Sequence, residues 1–394
     1  MLTSKQKILT FALALITFTV GTSELVIVGL LTQIASDLRV SLASAGILIT
    51  GFAISYALVT PFVTGYMSKF PKRPVVLTLI LIFILSNIAG ALTSSFIFLL
   101  CTRVITAVVS GVLTALSMTI ASDFIPADKR SSVVSIIFAG FTTAHVLGVP
   151  LGTFIGQISS WHYTFWATAG LGTMALILSW FVIPPMQAGQ PASVLKHFVI
   201  FKNLPIVIGF LIPAVSLTGS YTLYTYISPI IEEQMKIPSQ YTGAILLAYG
   251  IFSIFSNYVS GYIASRNGLS KLRIGFILQA AVLASFYFTM HTTITGIISI
   301  MLMGVFIYIM NATIQLFLMD QGAQYSAATR DFAASLTAVS GNVGITLGSL
   351  FGSIVVAYGQ MQYLAITGAV CALIASLLAT IGYRLQHTSH SVQK

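Results

Sequence analysis

Apolar and polar residues alternate along this chain in long blocks, with twelve apolar runs separated by charged residues, prolines or short polar stretches. An α-helix needs about 20 apolar residues to cross a bilayer, and most of the runs have that length. The pattern therefore predicts an all-α membrane protein with twelve transmembrane helices. The predicted spans are 8–31, 44–67, 75–94, 97–121, 133–156, 163–183, 204–228, 242–264, 272–290, 294–318, 333–357 and 361–383.

The composition strengthens this prediction. Of the 394 residues, 57% are hydrophobic and only 7% are charged, whereas soluble proteins are about 25% charged. The net charge is +10, but the basic residues lie in short loops between the apolar runs. That placement is typical of membrane insertion and requires no nucleic acid as a partner.

The distribution of Lys and Arg also predicts the orientation in the membrane. With the N-terminus inside, the outer loops carry only Arg39 and Lys236, and nearly all other basic residues face the cytoplasm. Both termini are therefore expected to be cytoplasmic. Lys5 and Lys7 precede the first apolar run as in a signal peptide, but this run continues to Leu31 and is better interpreted as the first span.

A polar linker divides the spans into two groups of six. It reads "PPMQAGQPASVLKHF" from Pro184, and a short repeat supports the division, because "VTGYMS" ends span 2 and "VSGYIA" ends span 8. Repeated halves predict a pseudo-two-fold axis along the membrane normal and a substrate site between the halves. The predicted parts are an N-terminal six-helix bundle at 1–183, a cytoplasmic linker at 184–203 and a C-terminal six-helix bundle at 204–394.

Three ionisable residues inside spans are candidates for proton coupling: Glu24, Arg103 and His145. Glu24 and Arg103 lie seven and six residues from the predicted outer ends of spans 1 and 4, which places both about 10 Å below the outer surface. An isolated charge in a bilayer costs about 2.5–3.5 kcal/mol. The pair is therefore either a structural tie or a site that changes charge, and His145 is either a proton relay or a hydrogen-bonded packing residue.

Aromatic and amide side chains indicate where a ligand would bind. Tyr221 and Tyr224 share one face of span 7. Together with Asn311, Gln315 and Asn342 they would suit a planar, mostly neutral ligand with several hydrogen-bonding groups. The alternative is plain helix packing. Tyr226, nearer the end of span 7, is expected to belong to the aromatic belt at the membrane surface.

The loop after span 2 resembles a family signature of roughly G-x-L-A-D-R-x-G-R-K. Here it reads "GYMSKFPKRP", in which Gly65 and Arg73 match, while Lys69 occupies the acidic position and Lys72 the second glycine position. On these residues the chain resembles the major facilitator superfamily, and within it the twelve-span drug:proton antiporters.

Span 5 resembles the antiporter motif of that group, approximately G-P-x-x-G-G. It reads "GVPLGTFIG" and contributes Gly148, Pro150, Gly152 and Gly156. This variant is similar to that of bacterial purine-efflux and sugar-efflux transporters. The resemblance implies that these residues, with Gly65 and Arg73, serve conformational change, and that Asp123 pairs with the basic inner loops.

The resemblance also implies an activity. We expect a monomeric, proton-coupled exporter in a bacterial inner membrane that works by alternating access. It would be neither an enzyme nor dependent on a metal or cofactor. The expected substrate is a purine base, a nucleoside or a hydrophobic drug, the last implying multidrug resistance. Two alternatives remain open: a sugar-efflux transporter, and a passive facilitator without proton coupling.

Overall fold

The computed structural model describes residues 3–186, 198–265, 268–324 and 327–392, and every regular element in these ranges is helical. Twelve segments are long and apolar enough to cross a membrane, which confirms the predicted number of spans. Spans 1 to 12 are Ser4–Asp37, Leu42–Met67, Lys72–Leu92, Phe96–Ala121, Val133–Ile158, Trp161–Val182, Leu204–Tyr224, Ser239–Ala264, Gly268–Thr289, Thr293–Ala323, Val339–Ala357 and Tyr363–Gln386.

Several spans are interrupted helices, and some helices extend beyond their spans. The α-helices are Ser4–Leu25, Leu31–Asp37, Leu42–Met67, Lys72–Leu92, Phe96–Phe124, Ala127–Thr143, Val149–Ile158, Trp161–Val182, Leu204–Tyr224, Ile227–Pro229, Thr242–Ala264, Gly268–Thr289, Thr293–Phe306, Asn311–Ala323, Ala327–Ala357 and Tyr363–Val392. Val26–Leu30, Phe198–Lys202 and Ser239–Tyr241 are 3₁₀-helical, and Ala144–Gly148 and Ile230–Gln234 are π-helical.

Polar caps fix helix starts where the apolar pattern alone is ambiguous. Spans 3 and 4 are almost continuous in apolar sequence, yet the first helix ends at Leu92 and the next begins at Phe96. The Ser95 side chain accepts a hydrogen bond from the Phe98 N–H. Such caps satisfy N–H groups that a helix start leaves unpaired, so the helix begins there.

The first compact unit comprises Met1–Val194 together with Ser239–Leu247. Within it, span 3 packs along span 6, span 2 along span 4, and span 1 along spans 4, 5 and 6. Its apolar core draws side chains such as Leu13, Phe83 and Leu113 from different spans. Span 1 is thus central to this unit.

The second compact unit comprises Leu195–Pro238 together with Ala248–Lys394. Span 7 is its central helix and packs along spans 11 and 12, while span 9 packs along span 12. A buried amide ties two of its helices together, because Gln279 accepts a hydrogen bond from Ser216 and donates one to Ser220. The predicted domain bounds stay a prediction, and residues 187–197 of the predicted linker lie outside the described residues.

Candidate functional site

Span 1 changes its helical geometry directly after Glu24. The α-helix ends at Leu25 and a 3₁₀ segment, Val26–Leu30, follows. Carbonyl groups at such an end lack their usual helical partners. Arg103 supplies a hydrogen-bond donor to one of these carbonyl groups, because its Nη2 donates to the Glu24 backbone oxygen at 3.1 Å. Its Nη1 donates to the side chain of the preceding residue, Ser23 Oγ, at 3.2 Å. Arg103 therefore clamps the backbone of span 1 where the helix changes.

The Glu24 carboxyl group forms no ion pair with the clamping guanidinium. Glu24 is only 4% exposed. The ion pair found among the described residues joins Lys72 to Asp123 and does not involve Glu24. The Arg103 guanidinium instead lies over the Phe52 ring, 4.3 Å from its centroid. Glu24 and Arg103 are thus brought together, but the guanidinium bonds to the backbone and not to the carboxylate.

Span 2 adds two residues to this site that the sequence did not suggest. Phe52 lies under Arg103, and Tyr56 stacks beside it with ring centroids 6.4 Å apart. The available signal was weak, because two aromatic residues four apart on an apolar helix are most often packing residues.

The glycines of span 5 pack against this same part of span 1. A methyl group on any of them would collide with a span 1 side chain. An ideal Cβ would lie 2.1 Å from Thr22 Oγ1 at Gly148, 2.3 Å from Val26 Cγ2 at Gly152 and 2.3 Å from Leu30 Cδ2 at Gly156. We call these three residues the span 5 glycine row; it fixes the position of span 1 on both sides of Glu24.

Span 5 leaves regular α-helical geometry at the start of that row. The π-helical turn Ala144–Gly148 precedes the helix Val149–Ile158, and Pro150 stands in the first turn of that helix. Proline is tolerated there because its missing N–H would have no partner, and π-turns are a common cause of helix bends.

His145 lies within the π-helical turn and is half-buried. Its ring packs on Phe141 with centroids 4.7 Å apart, and its Nε2 is buried without a hydrogen-bond partner in the described part of the chain. No described hydrogen bond joins it to Glu24 or Arg103. The structure therefore brings together two of the three predicted coupling residues and leaves His145 outside that contact.

The signature loop after span 2 makes contacts that differ from a carboxylate-based latch. Lys72, at the second glycine position of the signature, forms an ion pair with Asp123. Arg73 Nη2 donates to the Trp180 backbone oxygen at 2.7 Å, and the Gly65 carbonyl accepts from Ser68 Oγ at 2.8 Å. Asp123 thus meets a basic residue of the loop, as the resemblance implied, and that residue is Lys72.

In the second unit, tyrosine side chains from three spans meet. The Tyr221 and Tyr224 rings lie edge to face at 5.4 Å and 76°, and Tyr224 stacks on Tyr249 at 4.8 Å and 22°. The Tyr308 side chain lies beside Tyr221. We call these four residues the tyrosine cluster. Sequence analysis found the two on span 7 and missed Tyr249 and Tyr308, because the sequence does not show which span faces which.

A break in span 10 positions Tyr308. The helix ends at Phe306 and resumes at Asn311, with turn geometry between. Serines of span 8 satisfy the released N–H groups: Tyr308 N donates to Ser256 Oγ at 3.0 Å and Ala312 N to Ser260 Oγ at 2.9 Å. Buried backbone groups need such partners, and here a neighbouring helix supplies them.

The three predicted amides are placed differently from one another. Asn311 Nδ2 donates to Asn257 Oδ1 at 3.0 Å, so it is tied to span 8. Gln315 is exposed, and Asn342 is half-buried on span 11. Among the described residues, no hydrogen bond joins Asn311 or Gln315 to the tyrosine cluster.

The prediction for Tyr226 was wrong. An aromatic belt residue would be exposed at the membrane surface, but Tyr226 is 0% exposed. It packs against span 11, where an ideal Cβ on Gly352 would lie only 2.8 Å from its Cε2. The physical reason is that the absence of a side chain at Gly352 leaves space for the ring between the two helices.

Span 11 carries a glycine row that sequence analysis overlooked. An ideal Cβ would lie 2.8 Å from Leu217 Cβ at Gly344, 2.8 Å from Tyr221 Cβ at Gly348 and 2.8 Å from Tyr226 Cε2 at Gly352. We call these three residues the span 11 glycine row. Each member lies 196 positions after a member of the span 5 glycine row: 148 and 344, 152 and 348, 156 and 352. This regular offset is the sequence pattern from which the second row could have been predicted.

Comparison with known proteins identifies the class. The model of the Major Facilitator Superfamily matches residues 13–329, and the chain belongs to this family of membrane transporters. It is 33% identical over 345 residues to the uncharacterized MFS-type transporter YtbD of Bacillus subtilis (strain 168), covering 87% of each chain. The relatives are named as transporters, so the chain is a multi-pass transporter and not an enzyme.

Two further comparisons extend across the chain. It is 27% identical over 368 residues to a probable sugar efflux transporter of Helicobacter pylori (strain P12), covering 93% of this chain and 92% of the relative. Its fold matches the crystal structure of a bacterial homolog of the human lysosomal transporter Spinster, with a TM-score of 0.78, 15% identity and 98% coverage of both chains. At 15% identity, this structural similarity shows a shared fold and nothing more.

Proposed function

We propose that this transporter is a secondary-active exporter, which exchanges protons for a small, mostly neutral organic molecule by alternating access. Glu24 is the residue that carries the proton, and the tyrosine cluster contacts the substrate. The favoured substrates are purine bases, nucleosides or hydrophobic drugs. The protein would act as a monomer in a bacterial inner membrane with both termini in the cytoplasm.

The observation that carries this proposal is that Arg103 hydrogen-bonds to the Glu24 backbone and forms no ion pair with the Glu24 carboxyl group. A carboxyl group that is buried in a span is expensive, so its retention indicates a functional role. Arg103 bonds to the Glu24 backbone oxygen and to Ser23, and neither group changes when the carboxyl gains or loses a proton. Glu24 can therefore change charge while span 1 stays anchored.

The proposed source of energy is a proton gradient. A carboxyl group inside a span suits such a gradient. The 394 residues contain no phosphate-binding loop of the form G-x-x-x-x-G-K-[ST], which ATP-hydrolysing chains use.

The test begins with a ligand. Purified protein is screened with nucleosides, sugars and cationic drugs for compounds that raise its melting temperature, since a ligand of the folded state stabilises it by mass action. Protein reconstituted into vesicles is then given a proton gradient and the ligand. We expect parent protein to concentrate the ligand, and Glu24→Gln to exchange it across the membrane without concentrating it.

The matched control is Glu233→Gln, the same chemical change at an exposed position, which should transport like the parent. If Glu24→Gln also concentrates the ligand normally, then Glu24 is not the coupling residue. If parent protein never exceeds equilibrium and ignores pH, it is a passive facilitator.

Sugar efflux is the second candidate. The probable sugar efflux transporter of Helicobacter pylori, 27% identical over nearly the whole chain, favours it. In the same screen, this alternative predicts that sugars raise the melting temperature and that nucleosides do not.

A further inference from the structure

The tyrosine cluster presents flat aromatic surfaces in nearly parallel and perpendicular orientations. Tyr224 and Tyr249 are almost parallel, with an interplanar angle of 22°, and Tyr221 meets Tyr224 edge to face. Aromatic side chains prefer partners in these two arrangements, and a flat ring gains most from them. The geometry therefore suits a planar ring system better than a globular or strongly puckered molecule.

The stretches of chain that hold the four tyrosines contain no charged side chain. Residues Leu204 to Ile231, Ser239 to Ala264 and Thr293 to Met319 include no Asp, Glu, Lys, Arg or His. A charged ligand would need a counter-charge to offset its desolvation. These three stretches offer none, so an uncharged ligand fits the site.

One hydroxyl group in the cluster lacks a partner. The Tyr249 hydroxyl is buried and has no hydrogen-bond partner in the described part of the chain. Tyr249 is only 5% exposed. Leaving a buried hydroxyl unpaired costs stability, and a low-dielectric interior increases that cost.

The Tyr249 ring is held firmly enough to aim this hydroxyl. Tyr224 covers one face at 4.8 Å. On span 10, an ideal Cβ on Gly304 would lie 3.3 Å from Tyr249 Cδ2 and 2.9 Å from the Tyr249 backbone oxygen. The close approach of the two helices fixes the ring, so the hydroxyl is a preorganised hydrogen-bonding group.

We infer that the Tyr249 hydroxyl is the specificity-determining group, and that the substrate is an uncharged, planar heteroaromatic compound with a hydrogen-bonding atom on the edge of its ring. This inference rests on the proposed function only in assigning the tyrosine cluster to the substrate. The ligand ring packs against the cluster, and its edge satisfies the Tyr249 hydroxyl. A site with a buried group of this kind discriminates strongly against ligands that cannot pair with it.

The test compares Tyr249→Phe with Tyr287→Phe. Both remove one hydroxyl, but the Tyr287 ring packs on Phe288 and Tyr363, and no ring contact among the described residues joins it to the cluster. The probes are hypoxanthine, a flat uncharged heterocycle, and glucose, which has hydroxyl groups and no flat ring. Binding is measured by calorimetry in detergent without any gradient.

We expect hypoxanthine to bind parent and Tyr287→Phe alike, and to bind Tyr249→Phe about tenfold more weakly. Without ligand, Tyr249→Phe should unfold at the same temperature as the parent or higher, because an unpaired hydroxyl has been removed. A purely structural hydroxyl would instead lower the unfolding temperature and leave binding unchanged.

Three results would overturn the inference: equal hypoxanthine affinity in parent and Tyr249→Phe, binding of glucose without binding of hypoxanthine, or binding of neither probe. None of them bears on proton coupling, because the assay contains no gradient. Conversely, a Glu24→Gln protein that still concentrates substrate would refute the proposed coupling and leave this binding result intact.

Discussion

The two units have similar helix packing but carry different functional side chains. Among the described residues, Arg39 and Lys236 are the non-glycine residues with positive φ, at 53° and 58°. Glu24 lies 15 residues before Arg39, and Tyr221 lies 15 residues before Lys236. In this part of the matching spans, the first unit has a carboxyl group two residues before Val26, which the span 5 glycine row contacts, and the second unit has Tyr221, which the span 11 glycine row contacts.

The frameworks agree in how they support these positions. A glycine row packs against span 1 around Glu24 and another packs against span 7 around Tyr221. The span that packs against each glycine row also leaves regular α-helical geometry, at Val26–Leu30 in span 1 and after Tyr224 in span 7. The comparison teaches that duplication preserved the close backbone packing, while the side chains diverged towards charge in one unit and stacking in the other.

The largest expected effect comes from removing the Arg103 clamp, which among the described residues belongs to the first unit. Arg103→Leu deletes two hydrogen bonds from a charged donor, each worth about 1.5–3 kcal/mol. We expect concentrative transport to be lost and ligand binding in detergent to stay within about threefold of the parent. Transport into vesicles and calorimetry provide the two measurements.

Arg103→Lys sharpens this result. Lysine keeps the charge but lacks the planar fork that can reach two acceptors at once. We expect it to restore little transport if the two-point contact is what matters. Equal losses of binding and transport in Arg103→Leu would show that the two sites do not act separately.

The next largest effects should separate the two glycine rows. Gly152→Ala places a methyl group 2.3 Å from Val26 Cγ2, and Gly348→Ala places one 2.8 Å from Tyr221 Cβ; overpacking of this kind costs about 1–3 kcal/mol. We expect Gly152→Ala to lower concentrative transport with little change in affinity. Gly348→Ala should instead weaken ligand binding about fivefold or more.

Two other glycines serve as controls for this pair. An added Cβ at Gly170 or Gly261 meets nothing within 4 Å, so alanine there should leave both readouts unchanged. Alanine also favours the helix by about 0.5–1 kcal/mol over glycine. If all four variants behave alike, the rows have no special role.

The smallest effect is expected within the tyrosines of span 7. Tyr224→Ala removes a ring that contacts both Tyr221 and Tyr249, and the lost aromatic contact should cost about 1 kcal/mol of binding free energy. Tyr226→Ala removes a ring that packs on Gly352 and should lower thermal stability more than affinity. Calorimetric affinities that change equally and negligibly would return both rings to a packing role.

The sequence was sufficient for features that depend on local pattern. Twelve spans follow from apolar length, and the proximity of Glu24 and Arg103 follows from equal depth, since helical rise converts residue number into depth. The same reasoning paired Asp123 with a basic loop, although the partner residue is Lys72.

What the sequence could not provide was the contact between particular helix faces. Tyr249 and Tyr308 are ordinary tyrosines in apolar spans, and they join a cluster only because spans 7, 8 and 10 meet. The burial of Tyr226 likewise depends on a glycine in span 11, far away in sequence. Hydrophobic periodicity says which residues avoid water and does not say which helix they face.

The most direct test of the division between a proton site and a substrate site is the proton movement that a substrate gradient drives. Vesicles containing a pH-sensitive dye and reconstituted protein are given a gradient of the ligand found in the screen, with no proton gradient imposed. We predict that parent protein changes the internal pH as substrate moves. Glu24→Gln should exchange labelled substrate at a comparable rate while the internal pH stays constant. A pH change in Glu24→Gln equal to that of the parent would contradict the account.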